Sequence, residues 1–338
     1  MKNKLKLIIF LLLCSVMILT AVSCKKQNNE NTNTDTNTGG EITEPTDTNE
    51  DGDKEGDGNG ENNGSAENNG GTENNGDMPE ELPNVRIMSY NILSPQFNSR
   101  EPVAGREAGL IAVLDKYEPD VVGLQECHAD WHTAIERDIV SKGKYKFACK
   151  YTPDGTTVTQ ITFLYNTETV KLVEQEVKWI ATDVNYRGWS WAKFELLSDG
   201  AQFMVTNTHP TTNAPSLTSG RDEQLTRVAK WTGEKMNLNP SMPVFMTGDY
   251  NLREQLYAYR VFLGRLPIVD AKYDAKVMGY GCTTCFGYKV PANLESETGV
   301  LDHIFKGGNA KTLYYSCVID CGVENTSDHI PIYADFKI

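Results

Sequence analysis

The pattern of apolar and polar positions divides the chain into three regions. An apolar run covers residues 7–22, close to the start of the sequence. Residues 25–82 then contain almost no aliphatic or aromatic side chains, so they cannot bury enough apolar surface to offset the entropy cost of ordering. Beyond them, apolar residues recur with the spacings of strands and helices. We therefore predict a leader over 1–24, a disordered acidic tether over 25–82 and one folded domain over 83–338.

Within the third region, the apolar spacing predicts both strands and helices. Alternating or continuous apolar runs predict strands at 85–91, 121–126, 161–165, 202–207, 243–246, 301–305 and 333–338. Helical spacing predicts helices at 110–117, where Pro119 stops the helix, at 131–139 and at 221–236. Strands and helices intermix without a strict βαβ rhythm. This order favours a mixed α/β sandwich over a parallel Rossmann sheet or a (β/α)8 barrel.

The leader has the features of an export signal. Lys2, Lys4 and Lys6 precede the apolar run, which ends in Ala21-Val22-Ser23-Cys24. This ending resembles the lipobox of bacterial lipoproteins, which implies that Cys24 carries lipid and anchors an exported protein in the cell envelope. An ordinary cleaved signal and a signal anchor are the alternatives.

The acidic charge of the chain belongs mainly to the leader and tether. The chain has a net charge of −14, whereas residues 83–338 hold 30 acidic and 26 basic residues, a net of −4. A domain with this balance shows no overall preference for nucleic acid, although a sum of charges does not exclude a local basic groove.

Six cysteines lie in the domain, four of them in two closely spaced pairs. These pairs are Cys282 with Cys285 and Cys317 with Cys321. Outside the cytoplasm, disulfides or free thiols are favoured over a zinc site with this loose spacing. Cys127, which directly follows Glu126, is predicted to be a small buried residue.

Polar side chains interrupt or follow the apolar strands at several places where loops gather at the edge of a sheet. They are Asn91, Glu126, His209, Asp249, Asn251, Asp302, Asp328 and His329. One acid at a strand end is usually a cap or a turn residue. A full set of oxygen and imidazole groups at such positions indicates a catalytic site.

These residues and their order resemble the endonuclease/exonuclease/phosphatase superfamily, which includes deoxyribonuclease I, inositol-polyphosphate 5-phosphatases and neutral sphingomyelinases. The matching segments are Ser89-Tyr90-Asn91, Leu124-Gln125-Glu126, Thr208-His209, Gly248-Asp249-Tyr250-Asn251, Leu301-Asp302-His303-Ile304-Phe305 and Ser327-Asp328-His329. The resemblance implies a four-layer αββα sandwich with two mixed β-sheets and a phosphoesterase that uses Mg²⁺ or Mn²⁺.

The resemblance also implies a role for each matching residue. Glu126, Asn91 and Asp328 are the expected metal ligands, and hard oxygen donors suit Mg²⁺ or Mn²⁺. Asp249 is expected to orient or deprotonate the attacking water.

The remaining expected roles concern the phosphate. Asn251 and His209 are expected to donate to the phosphate or its leaving group, and Asp302 to hold His329 as an imidazolium. Whether Asp249 or His329 is the general base remains open at this point. Arg187 and Arg221 are candidate substrate contacts, and each is equally able to pair with a carboxylate.

The substrate class also remains open. A phosphodiesterase or nuclease acting outside the inner membrane is the first hypothesis, with nucleic acid, a nucleotide, an inositol phosphate or a phospholipid head group as the partner of a monomer. The alternatives are a phosphomonoesterase on inositol or sugar phosphates, a sphingomyelinase-like phospholipase, and a non-catalytic binding module on the same fold. The complete set of polar residues argues against the binding module. A further face, formed by His128, His132 and Glu136, is predicted to be solvated rather than a second metal site.

Overall fold

The computed structural model describes residues 81–95, 102–181, 187–212, 220–281, 284–285 and 300–338. The predicted leader with Cys24, and nearly all of the predicted tether, lie outside these residues. Among the helices described here, none has the length and apolarity that a membrane crossing requires.

The described residues form strands and helices that include every element predicted above. The strands are β1 (Val85–Asn91), β2 (Val121–Gln125), β3 (Tyr145–Ala148), β4 (Thr162–Asn166), β5 (Val170–Trp179), β6 (Gly188–Leu196), β7 (Gln202–Thr208), β8 (Val244–Asp249), β9 (Ile268–Asp270), β10 (Val277–Met278), β11 (Asp302–Gly307), β12 (Lys311–Cys317) and β13 (Ile332–Lys337). The helices are α1 (Glu107–Tyr117), α2 (Ala129–Asp138), α3 (Arg221–Leu238), α4 (Tyr257–Leu263) and α5 (Ala271–Asp274). The apolar pattern did not predict strands β3, β5, β6, β9, β10 and β12.

The strands form two mixed sheets. The first has the order β10-β12-β13-β1-β2-β4-β3, and the second has the order β5-β6-β7-β8-β11-β9. Each sheet has a parallel pair near its centre, β1 with β2 and β7 with β8, among antiparallel neighbours. This mixture explains why the strands and helices follow one another without a regular rhythm.

Strand alternation places one face of each sheet against the other sheet and the opposite face against helices. In β1, Ile87 belongs to the apolar cluster between the sheets, whereas Met88 and Tyr90 pack with residues of α1 and α2. Across the sheets, the rings of Phe245 and Phe336 lie 4.3 Å apart, and each fully buried ring contributes roughly 1.5–3 kcal/mol. A third cluster joins the second sheet to α3 and α4. The predicted four-layer αββα sandwich is confirmed.

The two sheets approach each other closely beside a layer of buried polar side chains. A Cβ atom on Gly123 of β2 would lie 2.0 Å from Thr247 Oγ1 of β8, so only glycine fits at this position. The Gln125 amide donates to Ser89 Oγ at 3.1 Å and to Asn207 Oδ1 at 2.7 Å. Because Asn207 lies on the second sheet, these bonds fix the register of one sheet against the other.

Among the described residues, four cysteines are free thiols and one is disulfide-bonded. Cys317 is disulfide-bonded, and Cys127, Cys149, Cys285 and Cys321 are free. Cys127 is fully buried, as predicted, and burial raises the pKa of its thiol. Cys282 lies outside the described residues.

Candidate active site

The strand topology brings the predicted site residues to one edge of the two stacked sheets. Because β1 runs parallel to β2, Asn91 and Glu126 meet at the carboxyl ends of these strands. In the second sheet, β11 runs antiparallel to β8, so Asp302 lies directly opposite Asp249. His209 follows β7, the parallel neighbour of β8. Residues far apart in sequence therefore form one polar cluster.

Asp249 lies at the centre of this cluster, and three side chains approach its Oδ2 atom. Asn91 Nδ2 lies 3.0 Å away, His209 Nε2 3.3 Å and His329 Nε2 3.7 Å. The Oδ1 atom accepts the backbone N–H of Asn251 at 2.9 Å. Burial, together with the nearby negative charge of Asp302, raises the pKa of Asp249 to about 6. A carboxylate with this pKa is able to accept a proton near neutral pH.

Asp302 and His329 form the buried pair that the motifs predict. His329 Nδ1 donates to Asp302 Oδ2 at 2.7 Å. Burial alone would lower the pKa of His329, but the Asp302 carboxylate outweighs it, and the pKa lies well above the ordinary value. The Ser327 hydroxyl accepts the His329 backbone N–H at 3.1 Å and donates to the Asn91 carbonyl at 2.6 Å. His329 is therefore an oriented imidazolium.

His209 has the opposite electrostatic character. Burial and the positive charge of Arg187 hold the pKa of His209 well below the ordinary value, so the ring is neutral. Its contact with Asp249 is therefore not an ion pair. A neutral imidazole has one N–H to donate, which suits a hydrogen bond to an anion and not the delivery of a proton as imidazolium.

Glu126 has the surroundings expected of a metal ligand. It is half-buried, and its two carboxylate oxygens accept only from neutral groups, Asn91 Nδ2 at 3.1 Å and the Ser94 backbone N–H at 2.8 Å. Asp328, also half-buried, lies on the neighbouring Ser327–His329 segment. Within the described residues, neither carboxylate has a cationic partner in an ion pair. Carboxylate oxygens of this kind are suitable ligands for a divalent cation.

Asn91 contacts the other candidate residues through its amide nitrogen. That nitrogen faces Glu126 and Asp249, and the amide oxygen accepts the Leu93 backbone N–H at 3.0 Å. The oxygen keeps a second lone pair, so coordination of a cation by Asn91 stays a prediction. Asn91 bridges two carboxylates as a donor, because two like charges close together are stabilised by an N–H group between them.

Unusual backbone conformations mark the same site. Leu93, Glu126 and Asn251 have positive φ angles of 55°, 58° and 48°. Non-glycine residues rarely adopt this region, and each such residue costs on the order of 1–3 kcal/mol. Three of them around one polar cluster indicate that the fold maintains the geometry for a function.

The two arginine candidates contact the backbone of the site. Arg221 Nη1 donates to the Asn251 carbonyl at 2.8 Å, and Arg187 Nη1 to the His209 carbonyl at 3.4 Å. Arg221 is nearly buried. The Asn251 amide itself donates to the Pro210 carbonyl at 2.9 Å. Direct contact of either arginine with substrate stays a prediction.

Sequence reasoning assigned no role to Ser89, Gln125 and Asn207, which lie directly beneath the cluster. The Gly248 N–H donates to Ser89 Oγ at 3.0 Å, and Asn207 Nδ2 donates to the Leu124 carbonyl at 2.7 Å. These bonds fix the strand residues next to Glu126 and Asp249. The signal was present, because each of the three residues lies within two positions of a predicted site residue.

A second cluster of potential ligands, Glu254, Asp270 and His303, has its donors already occupied. Asp270 Oδ2 accepts from His303 Nδ1 at 3.0 Å and from the Tyr259 hydroxyl at 2.8 Å. Glu254 is paired with Lys272 at 3.0 Å. His303 Nε2 faces the Leu252 carbonyl at 2.8 Å, so both ring nitrogens donate and the ring is charged. The cluster is a structural ion-pair network beneath the loop that carries Asn251.

We expect His303→Gln to destabilise the fold by about 3–5 kcal/mol, because it leaves Asp270 buried without its cation. Burial lowers the pKa of His303, but Asp270 outweighs it and the pKa is raised. The stabilisation is therefore fully present below pH 6.5, the ordinary histidine pKa, and is lost as the pH rises through the folded-state pKa. Urea unfolding from pH 5.5 to 9, with half-exposed His128→Gln as control, measures this. A wild-type advantage that grows with pH would contradict the assignment.

The helical face formed by His128, His132 and Glu136 was predicted to be solvated, but part of it is buried. His132 is buried, its Nε2 lies 2.8 Å from the Thr159 carbonyl, and its ring packs against Phe147. Burial lowers the pKa of His132 to about 4, so it stays neutral. Glu136 forms an ion pair with Lys150. The prediction was wrong for His132, and this face forms no group of three potential metal ligands within the described residues.

Solved structures with the same fold are known. A mannosyl-6-phosphatase of Bacteroides thetaiotaomicron VPI-5482 is similar with a TM-score of 0.63 and 20% identity, over 75% of this chain and 100% of the other. TDP2 of D. rerio, in complex with a single-stranded DNA product, is similar with a TM-score of 0.58 and 20% identity, over 75% and 99%. The human nocturnin catalytic domain with bound sulfate has a TM-score of 0.54 and 18% identity, over 76% and 95%.

The family comparison covers most of the domain and includes every predicted chemical motif. No curated protein matches the chain. The model of the Endonuclease/Exonuclease/phosphatase family matches residues 88–329, a span from just before Asn91 to His329. Members of this family are phosphoesterase hydrolases that generally use divalent metals. This match covers well over half of the chain, and the chain therefore belongs to the endonuclease/exonuclease/phosphatase family.

Proposed function

We propose that the chain hydrolyses phosphodiesters with the help of a divalent cation, Mg²⁺ or Mn²⁺. The observation that supports this most strongly is the convergence of Asn91, His209 and His329 on Asp249 Oδ2. A proton acceptor thereby lies beside an imidazolium and a neutral donor. Phosphate ester hydrolysis needs these groups to activate water and to stabilise the charge that develops on the phosphate oxygens.

The protonation states support Asp249 as the general base. His329 donates its Nδ1 proton to Asp302, and its raised pKa keeps Nε2 protonated as well, so the ring has no free lone pair for a proton. Asp249 accepts the proton of the attacking water, and His329 donates to a non-bridging oxygen. Asn251 and neutral His209 donate to the remaining oxygens. A cation held by Glu126 and Asp328 supplies Lewis-acid stabilisation of the phosphate charge when it is bound.

The fold shared with TDP2 of D. rerio favours a diester, because that structure contains a single-stranded DNA product and DNA is a polymer of phosphodiesters.

A second candidate is hydrolysis of phosphate monoesters on small sugars. The mannosyl-6-phosphatase of Bacteroides thetaiotaomicron matches over its whole length, which favours this alternative. The net charge of −4 over residues 83–338 also suits a small substrate better than a polyanionic strand.

The two candidates and the metal requirement are tested together. We expect the purified protein to hydrolyse bis-p-nitrophenyl phosphate faster than p-nitrophenyl phosphate, to lose activity in EDTA and to regain it with Mg²⁺ or Mn²⁺. Glu126→Gln should raise the Mg²⁺ concentration for half-maximal activity by at least roughly 10–100-fold, because replacing a charged ligand with a neutral one weakens binding at least as much as losing a residue that supports a ligand. Glu324→Gln, which makes the same change at a glutamate with no assigned role in the site, is the control. Full activity in EDTA would overturn the metal assignment, and faster monoester cleavage would select the second candidate.

We also propose that Cys24 is lipidated and that the protein acts in the cell envelope, on the basis of Ala21-Val22-Ser23-Cys24 after an apolar run. Cys24→Ser should release the protein from membranes or leave it unprocessed. Fractionation and mass measurement of both forms give the result. A Cys24→Ser protein that is still processed and still sediments with membranes would refute the anchor.

A further inference from the structure

The thiol of Cys285 lies within the same polar cluster, although no family motif includes it. Cys285 pairs with His329 in an isolated β-bridge, and its thiol contacts the His329 side chain. One ligand atom each of Cys285, Asp328 and His329 lies within 4.8 Å of the others. Cys285 is half-buried and free, so its sulfur is available for coordination.

These three donors suit a different cation from the one that Glu126 and Asp328 fit. Mg²⁺ takes oxygen ligands, whereas Zn²⁺ binds sulfur, imidazole and carboxylate together in a tetrahedron. Tetrahedral zinc places such ligand atoms about 3.3–3.8 Å apart, so the three groups need to approach by only about 1 Å.

His329 is already oriented as a zinc ligand. Its Nδ1 donates to Asp302 Oδ2 at 2.7 Å, which leaves Nε2 as the nitrogen for a metal. A carboxylate behind a ligating histidine is the arrangement that fixes the tautomer and increases the basicity of the ring in zinc proteins. The site is thus a group of three different donors with its supporting carboxylate in place, and it does not depend on the cysteine alone.

We propose that Cys285, Asp328 and His329 form a binding site for Zn²⁺ or a similar thiophilic cation, and that its occupation inhibits the enzyme. On binding, the protons of the Cys285 thiol and of His329 Nε2 pass to the buffer, and one water completes the tetrahedron. The cation then removes His329 from the phosphate and competes for Asp328. The inhibition rests on the proposed function, whereas the binding does not.

Binding is tested with Co²⁺ as a spectroscopic substitute for zinc in the full-length protein. Wild type is expected to develop the near-ultraviolet absorption of a thiolate–Co²⁺ bond, which Zn²⁺ removes by displacement. Cys285→Ser should lose this band. Cys321→Ser, which changes a half-buried free thiol outside the cluster, should keep it. No band in wild type, or an unchanged band in Cys285→Ser, would refute the site.

Inhibition is tested by titrating Zn²⁺ into the phosphoesterase assay at saturating Mg²⁺. The zinc concentration for half-inhibition should rise by at least about 10–100-fold in Cys285→Ser and stay unchanged in Cys321→Ser, because loss of a ligand weakens binding at least as much as loss of a residue that supports a ligand. Equal inhibition of wild type and Cys285→Ser would overturn the inhibitory role. A cobalt band without any phosphoesterase activity would uphold the site and reject the proposed function, so the two failures are distinguishable.

Discussion

Turnover is expected to fall by roughly 10²–10⁴-fold in His329→Gln, the range for loss of a positioned acid or base. Asp302→Asn should cost nearly as much, because Asp302 acts through His329: it holds Nδ1 at 2.7 Å and keeps the ring charged. Both single changes therefore remove the same imidazolium. The double variant should be little worse than either single variant.

His329 is buried, so its replacement also affects stability. Both His329→Gln and His329→Ala leave the Asp302 carboxylate buried without its cation, as His303→Gln does for Asp270, which costs several kcal/mol. Glutamine is preferred because its amide still offers Asp302 a hydrogen-bond donor, and the unfolding measurements separate loss of stability from loss of chemistry. Kinetics of the two single variants and the double variant, with urea unfolding of each, complete the cycle. If each single change lowers turnover only slightly, and the double variant shows the product of the two losses, the pair does not belong to the active site.

Asp249→Asn is expected to lower turnover by at least roughly 10²–10⁴-fold. It should not lower the free energy of unfolding at pH 8. Its raised pKa, about 6 against 3.8, means that the charged carboxylate is unfavourable in the folded state. A raised acid pKa lowers stability above the folded-state value, and this cost disappears as the pH falls below the unfolded value. At pH 8 the charged Asp249 lowers the free energy of unfolding of wild type by on the order of 1–3 kcal/mol. Asp249→Asn removes this cost, but part of the gain is lost because the new asparagine makes less favourable contacts with Asn91.

Unfolding midpoints of wild type and Asp249→Asn at pH 8 and pH 4, beside turnover at pH 8, test this trade-off. The variant should match or exceed wild type at pH 8, and this relative advantage should shrink by pH 4. Asp335→Asn serves as a control, because it removes a carboxylate paired with Arg86 outside the site. A variant much less stable than wild type at pH 8 would show that Asp249 is retained for structure.

The central strands and the site residues were predictable from sequence for one physical reason. Strands β1, β2 and β8 are almost entirely buried and mainly apolar, so the polar residue at each end is conspicuous. Strand β5 lies at an edge and exposes much of its length, with charged residues along it, and it lacks this signal. Burial alone was not sufficient, because β6 and β12 are also largely buried and were missed where polar residues interrupt their apolar positions.

Side-chain orientation was not predictable in the same way. Which amide atom of Asn91 faces the carboxylates depends on Glu126 and Asp249, which come from other strands. The burial of His132 likewise depends on the carbonyl of Thr159. The approach of Cys285 to His329 joins two segments whose sequences contain no sign of each other. Such features arise from tertiary contacts and have no local signature.

The pairing of the first strand with the last one constrains how the protein is made. Val85 of β1 lies opposite Phe336 of β13, so nearly the whole domain separates two adjacent strands. During synthesis, β1 leaves the ribosome long before its partner exists, and one of its edges stays open until β13 has been made. The loop that must close is long, and long-range strand pairing of this kind is slow. Because Asn91 lies at the end of β1 and His329 just before β13, the candidate site is assembled only when these two distant segments come together.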